Sequence, residues 1–195
     1  MKPQLSIDLL LSFGAVCNEY EKGKVLFHEG DEAAFYYQLV YGSVKMYNTN
    51  DDGKEFTQGY FSNGQSFGEP PLFINEKYPA SAMIFQKSEI IKLSKEKFLK
   101  ILDEFPNIQK EFLNLMARRI HTKATSSKDI INQKAEFRVQ SFLDSYKKST
   151  EKEHIDLTRQ EIANFTGLRV ETVIRALGKM KKNNIVEIKN QKIYY

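Results

Sequence analysis

Glu171 and Arg175 stand one helical turn apart in a segment, Val170 to about Lys182, whose apolar residues recur at helical spacing. At about 100° per residue, Val173, Ala176, Leu177 and Met180 gather on one face, and Glu171, Ile174, Arg175, Gly178 and Lys182 on the other. An arginine at a base edge pairs in bidentate fashion with guanine O6 and N7, and a carboxylate accepts from cytosine N4. The same two side chains at i and i+4 also make an exposed intrahelical ion pair of about 0.3–0.5 kcal/mol, so spacing alone leaves both uses open. Lys179, Lys181 and Lys182 add cations suited to phosphates.

Such a face is useful only if another element holds it. Upstream, Thr158-Arg159-Gln160-Glu161 forms a capping box that starts a short helix through Ile162, Ala163 and Phe165. That helix stops at Thr166-Gly167-Leu168, and two helices joined by a tight glycine turn make a helix-turn-helix, a pattern that also occurs in helical cores. Beyond the second helix, Ile185 to Ile188 and Gln191 to Tyr195 alternate with period two around Lys189-Asn190, which predicts a closing hairpin and hence a winged helix. Before it, a helix from about Gln133 carries Ala135, Val139, Phe142, Leu143 and Tyr146, and Lys147 to His154 reads as a polar connection.

Charge follows this division. The chain of 195 residues carries net +4. Residues 1–133 hold 16 basic and 17 acidic side chains, and residues 134–195 hold 13 and 8, so the whole excess lies in the last third, where it favours polyanions.

From Tyr20 to about Lys92 short β-rich runs alternate with turns: Val25–Phe27, Phe35–Val40, Val44–Tyr47, Phe56–Phe61, Ala82–Phe85 and Ile90–Leu93. This predicts an antiparallel β-roll. A weak helix, Ser6 to Phe13, precedes it, and a short one from Ser94 ends at Pro106, with Asn107 as N-cap of the next. There Ile108, Phe112, Leu115, Met116, Ile120, Ala124, Ile130 and Ile131 form one apolar stripe over about 25 residues, or ~37 Å, longer than the roll needs and suited to pairing with a second copy. The fold class is therefore α+β: a jelly-roll-like β-roll at 1–105, a dimerisation helix at 106–133 and a winged helix at 134–195.

No apolar run reaches the ~20 residues that span a bilayer; Leu9 to Cys17 is broken by Ser12 and Gly14, and Val16 does not suit an export cleavage site. Cys17 is the single cysteine, and His28, His121 and His154 are far apart, so no metal site is expected. Ser81, Cys17 and the histidines offer no nucleophile–base spacing, and the chain does not read as an enzyme. A cytoplasmic location is expected.

These residues resemble the bacterial regulators related to the cyclic-AMP receptor protein and FNR, over nearly the whole chain. The resemblance rests on Leu157 to Ala163, Gly167-Leu168, Glu171-Thr172-Val173 and Arg175, and, in the roll, on Gly23 to Phe27, Glu29-Gly30-Asp31, Gly42-Ser43-Val44 and Phe67-Gly68-Glu69. It implies a sequence-specific DNA-binding transcription regulator acting as a homodimer through residues 107–131, on a palindromic duplex operator, with RNA polymerase as a further partner. It implies that Glu171 and Arg175 contact bases, that Thr158, Arg159 and Gln160 hold the backbone or flanking bases, and that Val170 leans base preference toward the FNR type. Two departures stand out: Ile174 puts a branched apolar group on the groove face, and Arg169 replaces a small hydroxyl N-cap.

The effector pocket that the resemblance implies involves Gly68, Glu69, Ala80, Ser81, Lys123 and Ala124. In cyclic-nucleotide binders of the family an arginine precedes the Ser-Ala pair; here that position is Ala80, and Pro70 and Pro71 remove two backbone amides nearby. Cyclic AMP is therefore not expected, nor is an iron–sulfur cluster, since Cys17 is the only thiol. The competing readings are a cyclic-nucleotide-responsive regulator and a ligand-binding module whose winged helix contacts proteins.

Overall fold

A computed structural model describes residues 4–131, 134–150, 154–189 and 192–195, with backbone alone at 125–131 and 148–150. The chain forms two compact units, Met1–Asp52 with Thr57–Arg119, and Gly53–Phe56 with Ile120–Tyr195. None of the described helices is long and apolar enough to cross a membrane.

The first unit holds α1 (Ile7–Ser12), β1 (Val16–Tyr20), β2 (Val25–Phe27), β3 (Phe35–Thr49), β4 (Glu55–Ser62) from Thr57 onward, β5 (Ser66–Phe67), α2 (Pro70–Ile74), β6 (Ser81–Ser94) and α3 (Lys95–Glu104). Its sheet runs β1-β6-β3-β4, with β2 on β6 and β5 on β3, and the β1–β6, β2–β6, β3–β5 and β3–β6 pairs are antiparallel, as a β-roll requires. Two pairs of expected strands are single long ones. Phe35–Val40 and Val44–Tyr47 join as β3, and Ala82–Phe85 and Ile90–Leu93 as β6, because the intervening residues are absorbed as bulges: the register shifts between Leu39 and Tyr41, Tyr41 and Ser43, and Ser43 and Val44. Gly42 sits at φ +100°, where an added Cβ would lie 2.6 Å from Ser88 Cα, so this crossing admits only glycine.

The long helix α4 spans Pro106–Ile131. Asn107 is not its N-cap; Pro106 occupies the first helical position, where its missing N–H costs nothing. The single stripe expected along α4 is two. Phe112 is buried in the roll core against Tyr36 and Phe98, at ring-centroid distances of 6.0 and 5.2 Å, and Ile108 and Leu115 pack there beside it. Ile120 is instead 69% exposed, as is Leu113 at 70%, and both lie roughly 130° around the helix from that face together with exposed Ala117 and Ala124. The side chains of Ile130 and Ile131 lie outside the described residues.

The second unit continues with α5 (Ala135–Thr150), β7 (His154–Ile155), α6 (Arg159–Thr166), α7 (Val170–Lys182), β8 (Glu187–Lys189) and β9 (Lys192–Tyr194). Lys147 to Thr150, expected in a connection, continue α5, since lysine is a good helix former and the stripe of Val139, Phe142, Leu143 and Tyr146 runs directly into them. Residues 151–153, Asn190 of the expected hairpin turn, Gln191 and the expected boundary near Gln133 lie outside the described residues, and Lys189, expected in that turn, is the last residue of β8. The wing has a third strand that periodicity does not reveal: β7 pairs with β9, giving the order β7-β9-β8.

Candidate functional site

The reading element begins at Thr158. Its Oγ1 accepts from the Glu161 N–H at 3.1 Å, while its own N–H donates to Glu161 Oε2 at 2.6 Å, so the capping box is closed in both directions. Gly167 ends α6 at φ +67°, a left-handed turn that brings the chain into α7 within three residues. Arg169 stands at the α7 N-cap with no side-chain cap bond; its carbonyl accepts from the Thr172 and Val173 N–H groups.

Val173, Ala176, Leu177 and Met180 are buried, fixing α7 by one apolar face. Glu171, Ile174, Arg175, Gly178, Lys181 and Lys182 are exposed, and Ile174 is 54% exposed. Among the described residues neither Glu171 nor Arg175 is held in an ion pair. The intrahelical bridge that their spacing allows is not formed, which leaves both groups able to meet a ligand. Val170 is half-buried at the start of α7. On α6, Gln160 donates to Asn164 Oδ1 at 2.7 Å, and Arg159 is half-buried beside it in sequence. Lys179 differs from its neighbours: its Nζ is 2.5 Å from Glu136 Oε1 on α5, and that hydrogen bond, more than the charge itself, holds the Glu136 carboxyl below its ordinary pKa. A phosphate reaching Lys179 must compete with this carboxylate.

In the roll, the structure brings together only part of the pocket inferred from sequence. Gly68, at φ +75°, packs so closely that a Cβ would lie 3.1 Å from the Phe27 ring and 3.3 Å from Tyr78. Glu69 follows with no exposed surface, and Pro70 and Pro71 open α2, where their missing amides leave no bond unmade. Ala80 and Ser81 are buried on the approach to and start of β6, and Ser81 Oγ accepts from the Glu29 N–H at 2.9 Å, a contact that holds the turn. Lys123 and Ala124 are exposed on α4 in the second unit.

The residue that completes the roll site is Arg119. Its Nη1 donates to Glu69 Oε2 at 2.8 Å, its Nη2 donates to the Ser66 carbonyl at 2.6 Å, and its guanidinium lies 5.5 Å from the centroid of the Phe61 ring. The sequence does carry a signal for it. Ile108, Phe112, Leu115 and Arg119 recur at i, i+4, i+7 and i+11, so the fourth residue of the core-facing stripe is a cation, and a cation on a buried face needs a buried anion. Glu69 Oε1 is buried with no hydrogen-bond partner among the described atoms, so Arg119 supplies the compensation this carboxylate receives. Nearby, burial first and the Glu69 charge second push the Tyr36 phenol well above its ordinary pKa; it stays neutral and donates to Gln38 Oε1 at 2.7 Å.

Comparison with known proteins covers both units. Residues 17–105 match the cyclic nucleotide-binding domain family, and residues 138–194 match the Crp-like helix-turn-helix domain family. The cAMP-activated global transcriptional regulator CRP of Pasteurella multocida is 31% identical over 177 residues, covering 87% of this chain and 84% of that protein. The fumarate and nitrate reduction regulatory protein of Yersinia pestis is 26% identical over 180 residues, 89% of this chain and 72% of that one. Among solved structures, the c-di-GMP-responsive global regulator CLP of Xanthomonas campestris superposes with a TM-score of 0.82 at 20% identity, over 96% of this chain and 98% of that one.

Proposed function

The chain belongs to the CRP/FNR family of transcription regulators, and on that premise we propose that it acts as a homodimer that recognises a two-fold DNA operator through α7. Regulators of this family are not enzymes, and the chain carries their helix-turn-helix DNA-binding domain. The observation that carries the proposal is the two-faced α7: a buried apolar face anchors it, and the opposite face presents Glu171 and Arg175 without ion-pair partners among the described residues. Arg175 then suits guanine and Glu171 suits cytosine N4, with Ile174 against a thymine methyl. Val170 at the helix start adds an apolar contact, while Arg169, Thr158, Arg159 and Gln160 serve the phosphate backbone and flanking bases.

The exposed stripe of Leu113, Ala117, Ile120 and Ala124 supports dimerisation along α4. These residues alternate by four and three, the spacing of a two-helix seam. Two chains so joined present two α7 helices to half-sites whose centres lie about 10 bp apart. RNA polymerase is the further partner this role implies.

The roll does not serve cyclic AMP in this proposal. Position 80 is a buried alanine, and Arg119, the cation bound to Glu69, already has its charge matched by that carboxylate. No metal or iron–sulfur cofactor is needed, with Cys17 as the only thiol. Sedimentation of the protein with a duplex bearing its site tests the reading: two chains per duplex are expected, and one chain per duplex contradicts it. Cyclic AMP is expected to leave the melting temperature unchanged, and a rise that follows cyclic AMP concentration overturns the effector part.

A further inference from the structure

The wheel that sorts α7 into two faces does not say what fixes α7 against α6, and apolar packing alone permits small rotations that would displace Arg175 from a base edge. The turn between these helices is short, and two carbonyls of α6 that lead into it are used: Ala163 O accepts from the Gly167 and Leu168 N–H groups, and Ile162 O accepts from Thr166 Oγ1. The Thr166 carbonyl, the last before the left-handed Gly167, accepts instead from Nη2 of Arg138 on α5. Thr166 is buried, and a Cβ placed on Gly167 would lie 3.1 Å from the same Nη2, so the guanidinium covers the turn itself. A cation at this point also complements the negative end of α6.

We infer that Arg138 is a positioning residue for DNA recognition: through the Thr166 carbonyl it fixes the α6–α7 turn and thereby the angle at which α7 presents Glu171 and Arg175. Two polar ties reach the motif from the first turn of α5, since Glu136 holds Lys179 on α7. Arg138 grips the end of α6 and Glu136 the last turn of α7. A charge-assisted hydrogen bond to a carbonyl is directional where side-chain packing is not, which suits it to setting an angle.

The inference rests on the proposed DNA-binding role, so its test has one arm with DNA and one without. The variants are Arg138→Met, which keeps the aliphatic stem and removes the donors, and Arg138→Lys, which keeps the charge without the planar fork. In the free protein, amide hydrogen exchange at residues 167–170 is expected to rise at least ~10-fold in Arg138→Met while Ala176 and Leu177 stay unchanged. Exchange equal to wild type at 167–170, or raised equally throughout, overturns the inference whatever happens with DNA. On DNA, the ratio of specific to non-specific affinity at matched salt is expected to fall about 10-fold in Arg138→Met and about 3-fold in Arg138→Lys, with non-specific affinity within about two-fold of wild type. A parallel loss of both affinities identifies a phosphate contact and overturns the inference. Should Arg138→Met fail to fold, Arg138→Lys decides in both arms: a turn exchanging faster with selectivity reduced supports the role, and wild-type behaviour in either arm overturns it.

Discussion

Arg119, on the core-facing stripe of α4, places its Nη1 2.8 Å from Oε2 of Glu69, a carboxylate with no exposed surface. The pair ties the middle of the long helix to the N-cap of α2, 50 residues away in sequence. A buried pair contributes little relative to well-packed apolar residues, but removing one member strands the other charge in a low-dielectric interior.

Arg119→Met is therefore expected to lower stability by about 3 kcal/mol, read as a fall in the denaturation midpoint with an unchanged slope. Adding Glu69→Gln removes the stranded charge, and the double variant is expected to be more stable than Arg119→Met alone. If the single variant matches wild type, the pair does not carry the load assigned to it.

The face of α7 separates two kinds of contact. Arg175→Ala is expected to weaken specific binding by roughly 1–3 kcal/mol and to relax discrimination at one base pair per half-site. Lys182→Ala is expected to weaken all sequences alike and to flatten the salt dependence by about one unit of slope. Titrations against matched and mismatched duplexes at several salt concentrations distinguish them, and equal affinity of Arg175→Ala and wild type contradicts the groove assignment.

Leu113 and Ile120 are exposed one heptad apart and lie away from the roll core. Glutamate at both positions is expected to convert dimer to monomer in sedimentation while the chain stays folded, because neither side chain belongs to the roll core. A dimer that persists places the interface elsewhere.

The pKa of the Cys17 thiol is pushed up to about 11 by desolvation first, then by the Glu89 carboxylate, whose Oε1 accepts a hydrogen bond from the S–H at 3.3 Å and which repels the thiolate. At pH 8 its thiolate fraction is about 100-fold below that of a thiol titrating at 9.0, so alkylation is expected to be slow and to accelerate toward pH 11. Because the folded pKa is raised, the associated stability is present below pH 9 and is lost as pH climbs through about 11. Rapid alkylation at pH 8 contradicts this environment.

What sequence makes legible here is local. The Thr158–Glu161 capping box, the glycine turn at 167 and the two faces of α7 each lie within a few residues, and their spacing alone specifies them. The pairing of Arg119 with Glu69 and of Arg138 with the Thr166 carbonyl depends on tertiary folding across 50 and 28 residues, and nothing in a local window announces the partner. The two stripes of α4 fall between these cases. Their periods are visible, but Ile108 and Ile120 read as one face until the wheel is closed, and the roll that claims Phe112 lies far upstream in the chain. Asn107 shows a propensity overridden by its neighbour, because Pro106 already has the φ of a helix start.

Selection of bound sequences from a pool of random duplexes tests DNA recognition by a dimer through α7 in a single measurement. A palindrome is expected, with half-site centres about 10 bp apart and in each half a G·C pair whose discrimination disappears in Arg175→Ala. Recovery of a single asymmetric site, or no enrichment over the starting pool, contradicts a dimer that reads DNA through α7.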